Sequence, residues 1–234
     1  RDTGVENWQK IPNLSNVGYP IVEVEQNGKF VVKKEPNTGG RIDKNTIVEQ
    51  ILYEMGNPKE YLSPDVTVDF TTFNLVDNKN DSVSISNVEG FKPTDTYKVS
   101  ISYFDGYKSS GQLTICGPNA IEKANYCKEL VWSRLKKIGC EYEKTNSELL
   151  GYSSCMQSLS KKAKNVNEVV LRLSVKDNNK DKVNRFGKEI APLITNGPPG
   201  VTGFSGGRPK AQEVIAYWPT LISKELIKTN ISII

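Results

Sequence analysis

Apolar and polar residues alternate in two short runs near the start of the chain, 19–25 and 29–34, with Gln26-Asn27-Gly28 between them. Alternation places successive side chains on opposite faces of a strand, and Asn-Gly tolerates the positive φ that a tight turn requires. The pattern predicts a β-hairpin. A breaker cluster follows, Glu35-Pro36-Asn37-Thr38-Gly39-Gly40-Arg41. Beyond it Ile47, Ile51, Leu52 and Met55 form one apolar stripe at helical spacing, with Asp43 placed to cap the start and Gly56-Asn57-Pro58 to stop the helix. Residues 66–76 and 82–88 read as strands joined by the charged turn 77–81.

From residue 95 the order of elements changes. Residues 96–103 alternate as a strand, Asp105-Gly106 turns the chain, and 112–116 form a second strand. Gly117-Pro118-Asn119 leads into a helix over 120–138, whose positions Ala124, Cys127, Val131, Leu135 and Ile138 keep a three/four spacing up to the capping Gly139. Residues 140–144 look like a short strand, and 146–165 are weakly patterned, a short helix or a loop. Val169, Leu171, Leu173 and Val175 alternate in the next strand. A helix from 180 to about 194 carries Val183, Phe186 and Ile190, and Pro192 would kink or end it. Residues 211–218 form the last strand. Strand, helix, strand, twice over, is the split βαβ arrangement of ferredoxin-like folds. The expected class is therefore α+β. An N-terminal hairpin and small mixed sheet occupy 1–94, and a ferredoxin-like layer with helices on one face of a mainly antiparallel sheet occupies 95–234.

Composition narrows the chemistry. The chain has 234 residues, four Cys and no His, which removes Ser-His-Asp and Cys-His nucleophile systems and His-bearing zinc sites from what it can build alone. Proton transfer falls to Asp, Glu, Lys, Tyr or Cys, or to another chain. Net charge is only +4, and the nearest approach to a basic cluster, Lys161, Lys162 and Lys164, has no aromatic neighbours. It reads as a solvated turn, and no nucleic-acid partner is expected. No apolar stretch approaches the ~20 residues of a membrane span, and the start has no signal-peptide pattern. Cys116, Cys127, Cys140 and Cys155 form no CxxC, so no metal site is expected. Four reduced, mostly buried thiols and a cytoplasmic location are the expectation.

Two glycine-rich loops are candidates for anion binding. Thr38-Gly39-Gly40-Arg41 lies just ahead of a helix start, where free N–H groups and the helix dipole favour phosphate or carboxylate and Arg41 adds a clamp. The alternative is a plain strand-to-helix connection. The second runs from Thr195 to Lys210 and offers Asn196, Gly197, Ser205, Gly206, Gly207 and Arg208. Sixteen aperiodic residues make either a binding element or an unstructured connection. Asp65 and Asp69 fall on one face of a predicted strand and could divide acid and base roles, or form its wet face. Lys98, in mid-strand, would be a catalytic base if buried and an ordinary outward lysine if not. Cys116, close to a helix start, lacks a His to activate it and reads as a buried structural thiol.

Several segments, in order, resemble the acyclic terpene utilisation AtuA family. They are Gly18-Tyr19-Pro20-Ile21-Val22-Glu23-Val24, Thr38-Gly39-Gly40, Glu49-Gln50-Ile51-Leu52-Tyr53-Glu54, Tyr61-Leu62-Ser63-Pro64-Asp65-Val66, Asp69-Phe70-Thr71, Lys98-Val99-Ser100, Asp105-Gly106-Tyr107, Thr195-Asn196-Gly197-Pro198 and Tyr217-Trp218-Pro219-Thr220-Leu221. The resemblance implies a bacterial-type cytosolic protein of terpenoid or branched-acid catabolism, acting on acyl-CoA or carboxylate substrates, and identifies no cofactor. Lyase or hydratase chemistry is one expectation, with the glycine loops holding the anionic group and Asp65, Asp69 and Lys98 as catalytic residues. A non-catalytic subunit that docks with an acyl-CoA-metabolising enzyme is the other. Relatives of about twice this length, and a start at Arg1-Asp2-Thr3-Gly4 without Met, imply that the chain is the C-terminal half of a longer protein. Its expected partners are a small-molecule substrate, the N-terminal α/β half, and further copies in a homo-oligomer.

Overall fold

The computed structural model describes residues 8–78, 80–159, 166–203 and 206–232. Packing separates two compact units. One runs up to Val99 and includes the stretch from Leu221 onward; the other is Ser100–Thr220.

In the first unit the hairpin forms as expected, β1 (Ile21–Val24) against β2 (Phe30–Lys33), with Val22 opposite Val32. Gly28 sits at φ +83° and donates its N–H to the Glu25 carbonyl at 3.0 Å. A left-handed residue at that point suits the twist of the two strands. Helix α1 (Lys44–Ile51) starts at a capping box: Asp43 accepts from the Thr46 N–H at 2.9 Å, and Thr46 Oγ1 accepts from the Asp43 N–H at 3.0 Å. The helix stops at Ile51 rather than Met55, because the chain has left helical geometry by Glu54, at φ +59°.

Short strands follow: β3 (Tyr61–Leu62), β4 (Thr67–Asp69), β5 (Asn74–Asp77), β6 (Ser82–Ser86) and β7 (Glu89–Phe91). The single strand expected over 66–76 is broken in two. The Asp69 carboxylate accepts from the Thr71 N–H at 2.8 Å and its hydroxyl at 2.6 Å, while the Thr72 hydroxyl donates to the Asp69 carbonyl at 2.8 Å. These bonds turn the chain locally. They send β4 into a sheet of order β3–β4–β7 and β5 into one of order β1–β2–β6–β5. The pairings in both are antiparallel, so the small mixed sheet expected here is replaced by two antiparallel ones. Val32, Ile47, Val83 and Ile85 make the buried centre of this unit.

Strand β8 (Thr96–Cys116) is continuous over 21 residues. The expected reversal at Asp105-Gly106 does not occur. Gly106 takes φ +79°, and a Cβ there would lie 2.7 Å from Asn178 Oδ1 and 3.0 Å from the Asp177 carbonyl oxygen. Glycine lets β8 bend past its neighbour without turning back. Helix α2 (Ala120–Lys137) ends at Gly139, φ +71°, as expected. Strand β9 (Lys144–Leu150) lies beyond the 140–144 strand expected from sequence. It is a sheet edge whose residues Lys144–Ser147 are exposed, so no alternation marks it. Strand β10 (Glu168–Asp177) and helix α3 (Lys180–Ile190) follow. Pro192 ends that helical run and starts α4 (Pro192–Asn196), where its missing N–H costs nothing. Strands β11 (Val201–Gly203) and β12 (Gln212–Ser223) are the last two strands among the described residues.

The sheet order is β11–β8–β10–β9, with β12 also on β8; β10 pairs antiparallel with β8 and β9, and β11 pairs antiparallel with β8. Helices α2 and α3 pack on the face that carries Val169, Leu171, Leu173 and Val175, through Cys127, Val131, Leu135, Val183 and Phe186. The fold is α+β. Among the described residues no helix is long and apolar enough to cross a membrane. The Lys161, Lys162 and Lys164 cluster lies outside the described residues.

Candidate functional site

The glycine loop 38–40 closes one side of a cavity of about 410 Å3 in the first unit. Its apolar side comes from Ile42 and Ile47 with the more exposed Ile11, Leu14 and Val17, the nearly fully exposed Tyr19 lies beside them, and Lys34, Arg41, Thr46 and Gln50 supply polar groups. The volume falls in the range of ordinary small-molecule sites, in which a few polar groups orient a mainly apolar ligand. Ile11, Leu14 and Val17 were not candidates from sequence. Their spacing of three, which suits the 3-10 turn Leu14–Asn16, is the signal that marks them.

The loop does not present the free N–H groups expected of an anion cradle. Gly39 donates to the Asn16 carbonyl and Gly40 to the Pro12 carbonyl, both at 2.8 Å. The Thr38 hydroxyl donates to the Glu35 carbonyl at 2.7 Å. The two cations are engaged as well. Arg41 Nε lies 2.5 Å from Asp43 Oδ2, and Lys34 Nζ bonds the Gly40 carbonyl at 3.1 Å and Asp81 at 3.3 Å. Burial opposes the charge on Asp43, but the Thr46 N–H and Arg41 outweigh it and hold the carboxyl below its ordinary range. An incoming anion would therefore share Arg41 with Asp43.

The second loop separates into two parts. Asn196 ends α4, and the Gly197 N–H donates to the Leu193 carbonyl at 2.9 Å, closing that helix. Gly206, Gly207 and Arg208 line a different cavity, of about 390 Å3, with Ser110, Gln112 and Ile194. Between the two parts, Val201–Gly203 is strand β11 rather than loop. Ser205 lies outside the described residues.

Asp65 and Asp69 do not share a strand face. Asp65 precedes β4 in a turn where the Ser63 N–H donates to the Val66 carbonyl at 3.0 Å, and its carboxylate accepts from Ser63 Oγ at 3.1 Å. Asp69 ends β4 and serves the Thr71 turn, whose hydroxyl and N–H hold its carboxyl below the usual value. Lys98 is exposed on β8, so the burial that a base lysine requires is missing. The thiols also differ from expectation. Only Cys127 is buried, and burial pushes its thiol up; Cys140 is half-buried, and Cys116 and Cys155 are exposed. All four are free thiols. Among the described residues no group of three Cys, Asp or Glu side chains is arranged to hold a metal ion.

These features define an α+β protein with a ligand-sized, largely apolar pocket built around a glycine loop. The sequence pattern described as "Acyclic terpene utilisation family protein AtuA" matches residues 3–233, and the chain belongs to this family. No curated protein and no solved structure matches it.

Proposed function

We propose that the chain binds branched or terpenoid carboxylates, free or as CoA thioesters, in the course of acyclic terpene utilisation. One observation carries the reading: the 410 Å3 cavity joins a mainly aliphatic, partly open side to two cationic side chains, Lys34 and Arg41. A methyl-branched hydrocarbon gains about 25 cal/mol per Å2 on leaving water for such a wall. The guanidinium and ammonium groups suit carboxylate or phosphate oxygens. Because both are already paired, the apolar tail supplies most of the affinity and the charged end sets the orientation.

On this reading the chain works in the cytoplasm as an enzyme component, beside the further half of a longer family member. Binding in service of another catalytic centre is favoured over lyase or hydratase chemistry within the chain. The observation behind that preference is that the Asp65 and Asp69 carboxylates are each occupied by a local turn. The second unit is read as a ferredoxin-like split βαβ layer; its order β11–β8–β10–β9 and the shared packing of α2 and α3 support this.

Isothermal titration with an acyclic monoterpenoid carboxylic acid, with its CoA thioester and with free CoA tests the proposal. Wild-type chain is expected to bind the first two. Val17→Asp should abolish binding, and Arg41→Ala should weaken it about tenfold. No binding by the wild type, or equal affinity in both variants, overturns the reading.

A further inference from the structure

Pro20 and Lys34 line the glycine-loop cavity at the open end of the β1–β2 hairpin. The register of the hairpin sets what lies beyond them. Val22 stands opposite Val32, and Val24 opposite Phe30. Residues opposite one another share a face, and alternate residues return to it. Val22 and Val24 therefore share a face with Val32 and Phe30. Two residues back along each strand from Val22 and Val32 are Pro20 and Lys34, in the cavity.

This face is covered only in part. Val32 is buried, 6% exposed, in the cluster that includes Ile47 of α1. The cover stops there, at the inner strand: on the edge strand β1, Val22 is 51% and Val24 69% exposed. The charged pair of the hairpin, Glu23 with Lys33, falls on the opposite face, with Ile21 and Val31. On the face of the valines the one charged side chain from residues 20–24 and 30–34 is Lys34, at the cavity end.

We infer that this strip carries the far end of the ligand's hydrocarbon chain, so that the site takes acyclic isoprenoid carboxylates longer than a monoterpenoid. The inference rests on the carboxylate-binding reading of the cavity. Three features select such a ligand. A cation at one end with uncharged aliphatic groups beyond it is the polarity of a long-chain carboxylate. From Pro20 to Val24 the strand adds about 14 Å at ~3.4 Å per residue, a distance that an extended chain can follow. The strip is also too small for a macromolecule, since two half-exposed valines fall far short of the ~800 Å2 a side of a stable protein–protein interface.

Isothermal titration of the chain with an acyclic monoterpenoid carboxylic acid and with an acyclic sesquiterpenoid carboxylic acid tests the inference. The longer acid is expected to bind at least about tenfold tighter. Val22→Asn and Val24→Asn should each lower that ratio at least about threefold. Val76→Asn is the control, because Val76 is 50% exposed but lies on the opposite face of the same sheet, across from Ser84 and through it Val31. It should keep the wild-type ratio. Should an asparagine variant fail to fold by circular dichroism, Val24→Thr, which keeps the branched shape, takes its place and the same ratio decides. Binding of the shorter acid with no gain for the longer overturns the inference and leaves the cavity reading standing. No binding of either acid overturns both. A gain that the β1 variants leave unchanged, or that Val76→Asn lowers equally, also overturns it, because the preference then belongs to the ligand's hydrophobicity and not to the strip.

Discussion

Asp177, 6% exposed at the end of β10, shows how a residue's neighbours decide its charge. Burial alone would raise its carboxyl, but the Lys182 ammonium and the Asn179 N–H, at 2.9 Å, outweigh that and hold it below the ordinary carboxylate range. A carboxyl lowered on folding adds stability above its unfolded value, and that contribution is lost as pH falls through the folded value. Denaturant midpoints are therefore expected to fall below about pH 4, and to fall less steeply in Asp177→Asn than in the wild type. Equal slopes would remove Asp177 as a source of acid lability. At this scale the sequence displays the ionisable groups but not their partners. Asp69 illustrates the difference: it looked like a candidate acid, and its two Thr neighbours at 71 and 72 make it a turn residue. Lys98 carried two readings in the sequence, a buried base or an outward lysine, and β8 presents it outward.

At the scale of elements, close approach matters more than intrinsic propensity. Gly187 lies inside α3, where alanine would ordinarily favour the helix by about 1 kcal/mol. A Cβ there would stand 2.0 Å from the Pro209 carbonyl oxygen. Gly187→Ala is accordingly expected to destabilise by about 1–3 kcal/mol. Urea unfolding with an unchanged slope and a lower midpoint would show it. An unchanged or higher midpoint would mean that the segment around Pro209 yields instead. The same principle explains which elements were legible. Helix α2 and strand β10 carry their own periodicity against one buried face, so their pattern suffices. β8 and β9 do not. The Asp105-Gly106 pair has the chemistry of a turn, but it is a bend within one strand, packed closely against the Asp177 carbonyl and the Asn178 side chain.

Across the whole molecule, two separate buried centres carry the stability. Val32, Ile47, Val83 and Ile85 form that of the first unit, while the second buries a larger cluster around Leu113, Leu171, Leu173 and Phe186. Truncating a large buried aliphatic side chain costs about 2–5 kcal/mol wherever the site cannot collapse. Native-state hydrogen exchange should localise that cost. Ile85→Ala is expected to speed exchange in β2 and β6 and leave β10 protected; Leu171→Ala should act on β8 and β10 and spare β6. If each substitution accelerates exchange in both sets, the units unfold as one.

The pocket shows the division between chain and fold most clearly. By itself the sequence determined the α+β class, the hairpin, the cap at Asp43, the α2 and β10 elements and the family, because each depends on local chemistry or on residues in order. Tertiary structure decided that the Gly39 and Gly40 N–H groups are taken by the Asn16 and Pro12 carbonyls, and that Ile11, Leu14 and Val17 wall a cavity beside them. Those facts depend on which distant segment lies against the loop. Hydrogen-bond satisfaction and apolar packing are properties of neighbours in space, and periodicity along a chain does not name them.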